Sequence, residues 1–347
     1  MFFRILTALC FCLVSNTVKA ELTWTPEQGW TSKNGLLSFF VDDGDGAHNG
    51  IGLMNKAKTL QEAGEYFKAL HLYKRVYDNY PSSELAPEAY FQEAEIYTTR
   101  RQYAPAFTAY ATILKKYGDY PKFNEVLRKQ FEVACLLMEG KRPYYWGLIP
   151  GFKDYDSAIQ YFEKIIDKAP FHDLAPKALM NIALIAQERG KPEQVIDALE
   201  RLIYSYSKSE LSEKGYILLA KTYASLVQSP DYDQAPTHKA YHVYEDFLET
   251  YPNSPYVAEA EAGANKALET LAASRLALGQ FYYQYRNNPK AALVLYNDAV
   301  SVAPHSASAE NAKASIQLIK NKVPPPKTWV DVVFGSYEQA NQEEDIF

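Results

Sequence analysis

The chain has 347 residues and a formal net charge of −6 at pH 7, and 47% of its residues are hydrophobic while 22% are charged. This composition supplies enough apolar side chains for a sizeable core and excludes a disordered protein. Its acidic balance offers no basic field to a phosphate backbone, so we expect no nucleic-acid partner.

The first twenty residues have the features of a secretory signal peptide. Arg4 is the early cation, residues 5–14 form the apolar run, and Val18 and Ala20 fit a small-residue cleavage site. No later apolar run reaches the roughly 18 to 20 residues that span a bilayer. We therefore expect cleavage after Ala20 and an exported protein that is soluble or peripheral to a membrane.

The cysteines carry no disulfide framework. Cys10 and Cys12 lie inside the predicted signal, which leaves Cys135 alone in the exported chain. Bacterial lipidation needs a small residue before the modified cysteine, whereas Leu9 and Phe11 stand there, so the sequence does not favour a lipid anchor. Cys135 lies among apolar residues of a predicted helix, which favours a buried inert thiol over a nucleophile.

A recurring pattern runs through the middle of the chain. Each copy has a small residue, an aromatic residue four later, an apolar residue three after that, and a proline twelve after the small residue. The four clear copies are Ala69/Tyr73/Val76/Pro81, Ala158/Phe162/Ile165/Pro170, Ala240/Tyr244/Phe247/Pro252 and Ala292/Tyr296/Ala299/Pro304. Two degenerate copies are Ala106/Tyr110/Ile113, with a late Pro121, and Val195/Leu199/Leu202, with Ser207 in place of proline. Steps of four and three define one helix face, and the proline ends that helix.

A partner helix precedes each copy. Leu278, Gly279 and Tyr282 match the L-G-x-x-Y pattern of a tetratricopeptide first helix. The resemblance to tetratricopeptide repeats implies an all-α, right-handed superhelical solenoid of six helix pairs over residues 52–320. One helix is predicted to run from Val257 to Tyr285 without a breaker.

Two segments flank the predicted solenoid. Residues 21–51 form an N-terminal extension that contains a turn-rich "DDGDG", and residues 321–347 begin with a proline-rich linker and end in an acidic tail.

Residues that could support catalysis or metal binding also have simpler interpretations. His238 and His242 are one helical turn apart, but zinc needs further ligands and the solvated-helix interpretation is favoured. Asp42, Asp43 and Asp45 lack the terminal glutamate of a calcium loop, which favours a polar turn. Because the sequence has no phosphate-binding glycine loop, nucleophile elbow or dinucleotide fingerprint, we predict a non-enzymatic protein without a cofactor or a metal.

Several aromatic residues are candidates for protein binding. Tyr90 and Tyr97 are predicted on a first helix, where they would line a concave face that receives peptides. Tyr144, Tyr145 and Trp146 lie in an apolar loop that either folds back onto the solenoid or anchors a partner. The remaining candidates, at the end of the long helix, are Tyr282, Tyr283 and Arg286.

The repeat junctions are spelled "YPSSELAPEAY" and "YPNSPYVAEA", which is typical of tetratricopeptide proteins of the bacterial envelope. In the second junction we expect Ser254 to cap the next helix and Pro255 to take its first turn. Residues 231–304, with their long helix ending in "LALGQFYYQY", resemble the outer membrane assembly lipoprotein family BamD, and a weaker likeness extends over residues 52–320.

The resemblance implies a periplasmic scaffold associated with the outer membrane, which binds the barrel-assembly subunit or unfolded outer membrane protein segments. The oligomeric state is left open. The alternatives are a Tol-Pal-associated tetratricopeptide protein of envelope constriction, a generic envelope interaction module, and, from a different class, the recognition domain of an envelope enzyme or a cryptic hydrolase.

Overall fold

The computed structural model describes residues 22–32, 44–227, 229–230 and 232–325. The predicted signal peptide, Asp42, Asp43 and the tail from residue 326 onward lie outside this described part. The described residues form thirteen α-helices and two short antiparallel ribbons, and they divide into two compact units between Lys168 and Ala169.

The first unit begins with an antiparallel ribbon in which Trp24 pairs with Trp30, and three helix pairs follow. Its elements are β1 (Leu22–Thr25), β2 (Gly29–Ser32), α1 (Gly44–Glu62), α2 (Tyr66–Asn79), α3 (Leu85–Thr99), α4 (Tyr103–Lys116), α5 (Phe123–Met138), β3 (Tyr144–Tyr145), β4 (Ile149–Pro150) and α6 (Tyr155–Lys168).

In the described residues of the second unit, all of the regular secondary structure is α-helical. The helices are α7 (Leu174–Glu188), α8 (Pro192–Ser205), α9 (Glu210–Ser225), α10 (Ala235–Thr250), α11 (Val257–Gln284), α12 (Pro289–Val302) and α13 (Ala307–Lys320). Each helix packs on its successor, and the odd-numbered helices also contact one another, α7 with α9, α9 with α11 and α11 with α13. This is the alternation expected of stacked helix pairs.

The repeat pattern is confirmed by burial. All six sets of three helical positions, from Ala69/Tyr73/Val76 to Ala292/Tyr296/Ala299, are buried, including the two degenerate sets. They lie on the second helix of each pair, where the small residue allows a close approach to the first helix. The apolar core therefore follows the periodicity that the sequence shows.

A repeated tyrosine hydrogen bond links successive junctions. The residue that caps the carboxyl end of α4, α8 and α10 is a tyrosine in each case. Its hydroxyl donates to the carbonyl of the junction one repeat earlier: Tyr117 to Pro81 (2.9 Å), Tyr206 to Pro170 (2.7 Å) and Tyr251 to Ser207 (2.7 Å). Each accepting carbonyl lies two residues beyond the last residue of a helix, so the bond ties one junction to the next.

The helical array begins earlier than predicted and contains one helix more than the six predicted pairs. The first helix starts at Gly44 rather than at residue 52, because Gly50 fits closely against Leu85 and Tyr80 and extends the packed helix upstream. At the other end, residues 305–320 add α13, which buries Ala312, Ile316 and Ile319 against the last pair. A single terminal helix of this kind covers apolar surface that the last repeat would otherwise expose.

The junction before α11 also differs. The prediction that Ser254 caps this helix and Pro255 opens it is wrong, since α11 begins at Val257. Ser254 instead accepts a hydrogen bond from the Tyr256 amide (3.2 Å) and donates one to Oε2 of Glu213 on α9 (2.6 Å). The serine thus joins the junction to the preceding first helix.

The long helix is confirmed as Val257–Gln284. Two glycines let it approach buried tyrosines of both neighbouring helices: Gly263 lies against Tyr244 of α10, and Gly279 lies against Tyr296 of α12. A β-carbon at either position would come within 2.3 Å or 2.6 Å of the facing ring. The absence of a side chain at these positions therefore permits the contacts on both sides of α11.

Candidate protein-binding surfaces

The helices α1, α3 and α5 of the first unit form what we call the first-helix face, and polar side chains join them. Glu88 is 2% exposed and accepts hydrogen bonds from Gln92, from the Tyr120 hydroxyl and from Lys122 (2.8 Å). Lys58 of α1 donates to Gln92 at 3.3 Å. The buried carboxylate is thus paired and hydrogen-bonded, as a buried charge requires.

The N-terminal ribbon, residues 22–32, lies against this first-helix face. Trp30 is 4% exposed and belongs to the same core cluster as Met54 and Ala89. Its amide donates to Oδ1 of Asn55 at 2.7 Å, and the Lys122 ammonium lies 5.7 Å from its ring centre. An extended segment of the chain therefore covers part of the face, a contact that the sequence did not predict.

Tyr90 and Tyr97 lie on the other side of α3, so their predicted place on the first-helix face is wrong. The Tyr90 ring stacks on Tyr77 of α2 (3.9 Å between centres) and also neighbours Tyr117 at the end of α4 (6.4 Å). Tyr97 hydrogen-bonds to Glu93. Residues 90, 93 and 97 share one stripe of the helix, whereas residues 88 and 92 share the stripe that faces α1 and α5.

Glu93 is the charged member of this tyrosine cluster, and no sequence argument singled it out. Burial raises the pKa of its carboxyl above the ordinary value, while hydrogen bonds from Tyr77 and Tyr97 and the nearby Lys74 partly offset that rise. Its Oε2 atom is buried without a hydrogen-bond partner. The tyrosine cluster is therefore a packed internal contact between helices with one incompletely satisfied acid.

Residues 143–152, which we call the aromatic hairpin, combine the two outcomes that the sequence left open. Tyr144 folds inward: its amide donates to the Arg101 carbonyl (2.8 Å), and the Arg101 guanidinium lies 5.4 Å from its ring centre. Tyr145 and Trp146 are exposed. The base of the hairpin is thus fixed to the first unit while its tip projects from it.

The end of α11 presents a second exposed aromatic surface. Phe281 and Tyr285 stack on one side of the helix, and the Arg286 guanidinium lies 5.5 Å from the Phe281 ring centre. Leu278 is exposed one turn earlier. We call Leu278, Phe281, Tyr285 and Arg286 the α11 patch.

The other two candidates on α11 lie away from this patch. Tyr283 is buried, and its hydroxyl donates to the Val323 carbonyl. The prediction that this side chain is available to a protein partner is therefore wrong. It shares a face with Gly279 and Leu276, which point into the core. Tyr282 is half-buried and packs against the same core cluster.

The histidines and the cysteine that could have carried chemistry are dispersed. His238 and His242 are both exposed on α10, and Nδ1 of His242 lies 3.2 Å from Oε2 of Glu245. Within the described residues, no three histidine, cysteine or acidic side chains come together as a metal site would require. Burial raises the pKa of the half-buried Cys135 thiol to about 11, which keeps it protonated at neutral pH.

Stacked helix pairs with a buried small–aromatic–apolar motif define the protein as an all-α tetratricopeptide-repeat solenoid. The family model for this repeat matches residues 52–83. Within this class, residues 152–316 match the family model YfiO, described as an outer membrane lipoprotein. The resemblance predicted from the sequence is thereby confirmed for this part of the chain.

Two curated relatives are outer membrane protein assembly factors named BamD. The protein from Rickettsia prowazekii is 24% identical over 148 residues, which cover 43% of this chain and 59% of that relative. The protein from Caulobacter vibrioides is 20% identical over 167 residues, which cover 48% of this chain and 54% of that relative. The chain therefore spans somewhat more than half the length of each relative.

A thermophilic tetratricopeptide protein of Thermus thermophilus is 17% identical and aligns with a TM-score of 0.28 over 63% of this chain and 98% of that chain. In the described part of the present chain, no helix is long and apolar enough to cross a membrane.

Proposed function

We propose that the protein is an exported, periplasmic tetratricopeptide scaffold that acts in the assembly of outer membrane β-barrel proteins. The observation that carries this proposal is the family match over residues 152–316, which extends from the start of α6 into α13. The two BamD relatives support the same role. We further propose that the scaffold binds proteins and has no catalytic activity of its own.

The α11 patch is the surface we assign to the barrel-assembly subunit. It lies inside the family-matched region and exposes two stacked aromatic rings beside a guanidinium group. Aromatic and arginine side chains dominate the binding energy of protein interfaces, and exposed apolar clusters mark such interfaces. The small, aromatic and apolar repeat positions on the second helices are buried and offer no comparable surface.

The first-helix face of the first unit is the surface we assign to unfolded protein segments. Its ability to accept extended chain is supported by β2, which lies on it with Trp30 inserted and with main-chain hydrogen bonding to Asn55. An extended segment from another protein would present the same groups. Such a segment would then compete with the N-terminal ribbon for this face.

The test is co-purification with the barrel-assembly subunit from detergent-solubilised outer membrane. We expect wild type and the control Tyr204→Ala, which truncates an exposed tyrosine on α8, to recover the subunit equally. The double variant Phe281→Ala/Tyr285→Ala should recover at least about tenfold less. A chain ending at Pro325 should behave as wild type, since it keeps the contact between Tyr283 and Val323.

The possible outcomes test the proposed function separately from the assignment of the α11 patch. Wild-type protein that purifies without the subunit would overturn the proposed function, and recovery of an envelope-constriction complex instead would favour the Tol-Pal alternative. Equal recovery by wild type and the double variant would leave the function standing and remove the α11 patch from it.

A further inference from the structure

The aromatic hairpin carries the most exposed apolar tip in the first unit. Trp146 and Leu148 are each 72% exposed and Phe152 is 86% exposed, while Tyr145 and Ile149 are also exposed. A protein surface that exposes this many large apolar side chains together marks a site of contact with another protein or with a membrane.

The tip is held in place rather than loosely attached. β3 and β4 pair Tyr145 with Ile149, and the intervening turn places Trp146 and Gly147 at positive φ, 52° and 72°. The Arg100 Nη2 atom donates to the Trp146 carbonyl at 2.8 Å. A tryptophan rarely adopts this left-handed conformation, so the turn holds an unfavourable backbone while its side chain projects outward.

Arg100 also joins the hairpin to a neighbouring exposed ring. Its guanidinium lies 4.3 Å from the ring centre of Phe67, a 68% exposed residue at the start of α2. Gly147 lies against the same guanidinium, where a β-carbon would come within 2.6 Å of Nε. Phe67 and the hairpin tip therefore form one continuous apolar surface around a cation.

Several cationic residues lie in or beside this surface although the chain as a whole is acidic. The six cationic residues in or beside it are Lys68, Arg100, Arg101, Lys141, Arg142 and Lys153. The carboxylates nearby are Glu65, Glu139, Asp154 and Asp156. Glu65 and Glu139 pair with Lys68 and Lys141, and Asp154 binds Ser157 at the start of α6. The local balance is thus positive, in contrast to the chain's net charge of −6.

We propose that the aromatic hairpin and Phe67 form a peripheral membrane-binding site that inserts its tip into the interfacial region of a bilayer with anionic headgroups. Tryptophan and tyrosine favour the boundary between headgroups and acyl chains, where an apolar ring and a polar edge are both accommodated. Lysine and arginine behind an apolar tip add attraction to anionic lipid. This site does not depend on the proposed role in barrel assembly, and purified protein with lipid alone is sufficient to test it.

The test is flotation of the purified protein with vesicles of phosphatidylethanolamine and phosphatidylglycerol in a 3:1 ratio, compared with pure phosphatidylcholine. We expect wild type to float with the anionic vesicles and to be released by salt. The double variant Trp146→Ser/Leu148→Ser should bind at least about tenfold more weakly, because it removes two exposed apolar side chains. The matched control Phe171→Ser/Tyr204→Ser, which removes two exposed rings of the second unit, should bind as wild type.

A second measurement reports insertion of the Trp146 ring directly and does not require a variant that has lost vesicle binding. Phospholipids brominated along the acyl chain should quench the fluorescence of wild type more than that of Trp146→Phe, since phenylalanine keeps the apolar tip but removes the tryptophan signal. Wild type that does not float, equal flotation of wild type and Trp146→Ser/Leu148→Ser, or equal quenching of wild type and Trp146→Phe would each overturn the proposal. If the double variant binds the vesicles as wild type does but no longer binds the barrel-assembly subunit, the hairpin is a protein contact.

Discussion

The substitution Gly279→Ala tests whether the glycine contacts of α11 stabilise the second unit. An added β-carbon would lie 2.6 Å and 2.7 Å from two carbons of the Tyr296 ring. Ordinary carbon contacts are about 3.5 Å or longer, so one partner must shift by nearly 1 Å. Tyr296 is almost fully buried within the cluster that contains Ala292 and Ile316, which leaves its ring little space to move.

The expected magnitude combines two opposing effects. Overpacking of a core typically costs about 1 to 3 kcal/mol, while replacing a helical glycine by alanine returns about 1 kcal/mol. We therefore expect Gly279→Ala to lower the free energy of unfolding by up to roughly 2 kcal/mol. Gly52→Ala is the matched control: Gly52 lies in α1 with no atom near its β-carbon position, and the substitution should stabilise by about 0.5 to 1 kcal/mol.

The assay is urea unfolding followed by far-ultraviolet circular dichroism. The midpoint should fall for Gly279→Ala and rise for Gly52→Ala at an unchanged slope. In a Tyr296→Val background the cost of Gly279→Ala should vanish, because the smaller side chain leaves room for the methyl group. Stabilisation by Gly279→Ala, or an equal cost in both backgrounds, would refute the packing argument.

Three further predictions concern other contacts. Glu93→Gln should raise the free energy of unfolding at pH 7.5 by roughly 1 kcal/mol. The raised pKa of Glu93 means that the folded state loses stability as pH rises above the ordinary glutamate value, so this gain should shrink in urea titrations near pH 4. Trp30→Ala should release the N-terminal ribbon and make it protease-sensitive with little change in helicity, and unchanged protection would contradict its docking. Tyr117→Phe and Tyr251→Phe should each cost about 1 kcal/mol in urea unfolding, whereas the exposed control Tyr204→Phe should cost almost nothing.

The packing positions of the repeats could be predicted because they depend on local periodicity. A small residue, an aromatic residue and an apolar residue at steps of four and three occupy one helix face whatever their neighbours are, and a following proline or junction ends the helix. The degenerate set Val195, Leu199 and Leu202 was recognised for the same reason and is equally buried. The uninterrupted α11 followed from the lack of any breaker between residues 257 and 284.

Contacts between distant segments could not be predicted. Periodicity groups Tyr90 with Tyr97 on one stripe of α3, but it does not say which neighbouring helices that stripe faces. The docking of Trp30 depends on Asn55 and Lys122, which are 25 and 92 residues away in sequence. Tyr283 and Tyr285 are likewise the same residue type in the same helix. Because they are two residues apart, they point to opposite sides of it, so the Tyr283 ring lies in the core and the Tyr285 ring lies in solvent.

The distribution of tyrosine hydroxyls separates residues that hold the solenoid together from those available to partners. Tyr73, Tyr110 and Tyr120 donate to Gln61, Glu95 and Glu88, so these repeat and junction tyrosines are committed to their own chain. The exposed aromatic side chains of the hairpin tip and the α11 patch lie instead outside the repeat pattern.

Substitutions in the two groups should consequently have different effects. A substitution at a repeat position removes buried contacts and lowers stability, whereas truncation of an exposed ring at the hairpin tip or the α11 patch removes few intramolecular contacts. A loss of partner or lipid binding at unchanged stability would then be attributable to the surface itself. The buried repeat residues hold these surfaces in place, whereas different residues supply the exposed rings. A scaffold of this kind can therefore change what it binds while keeping the same buried motif.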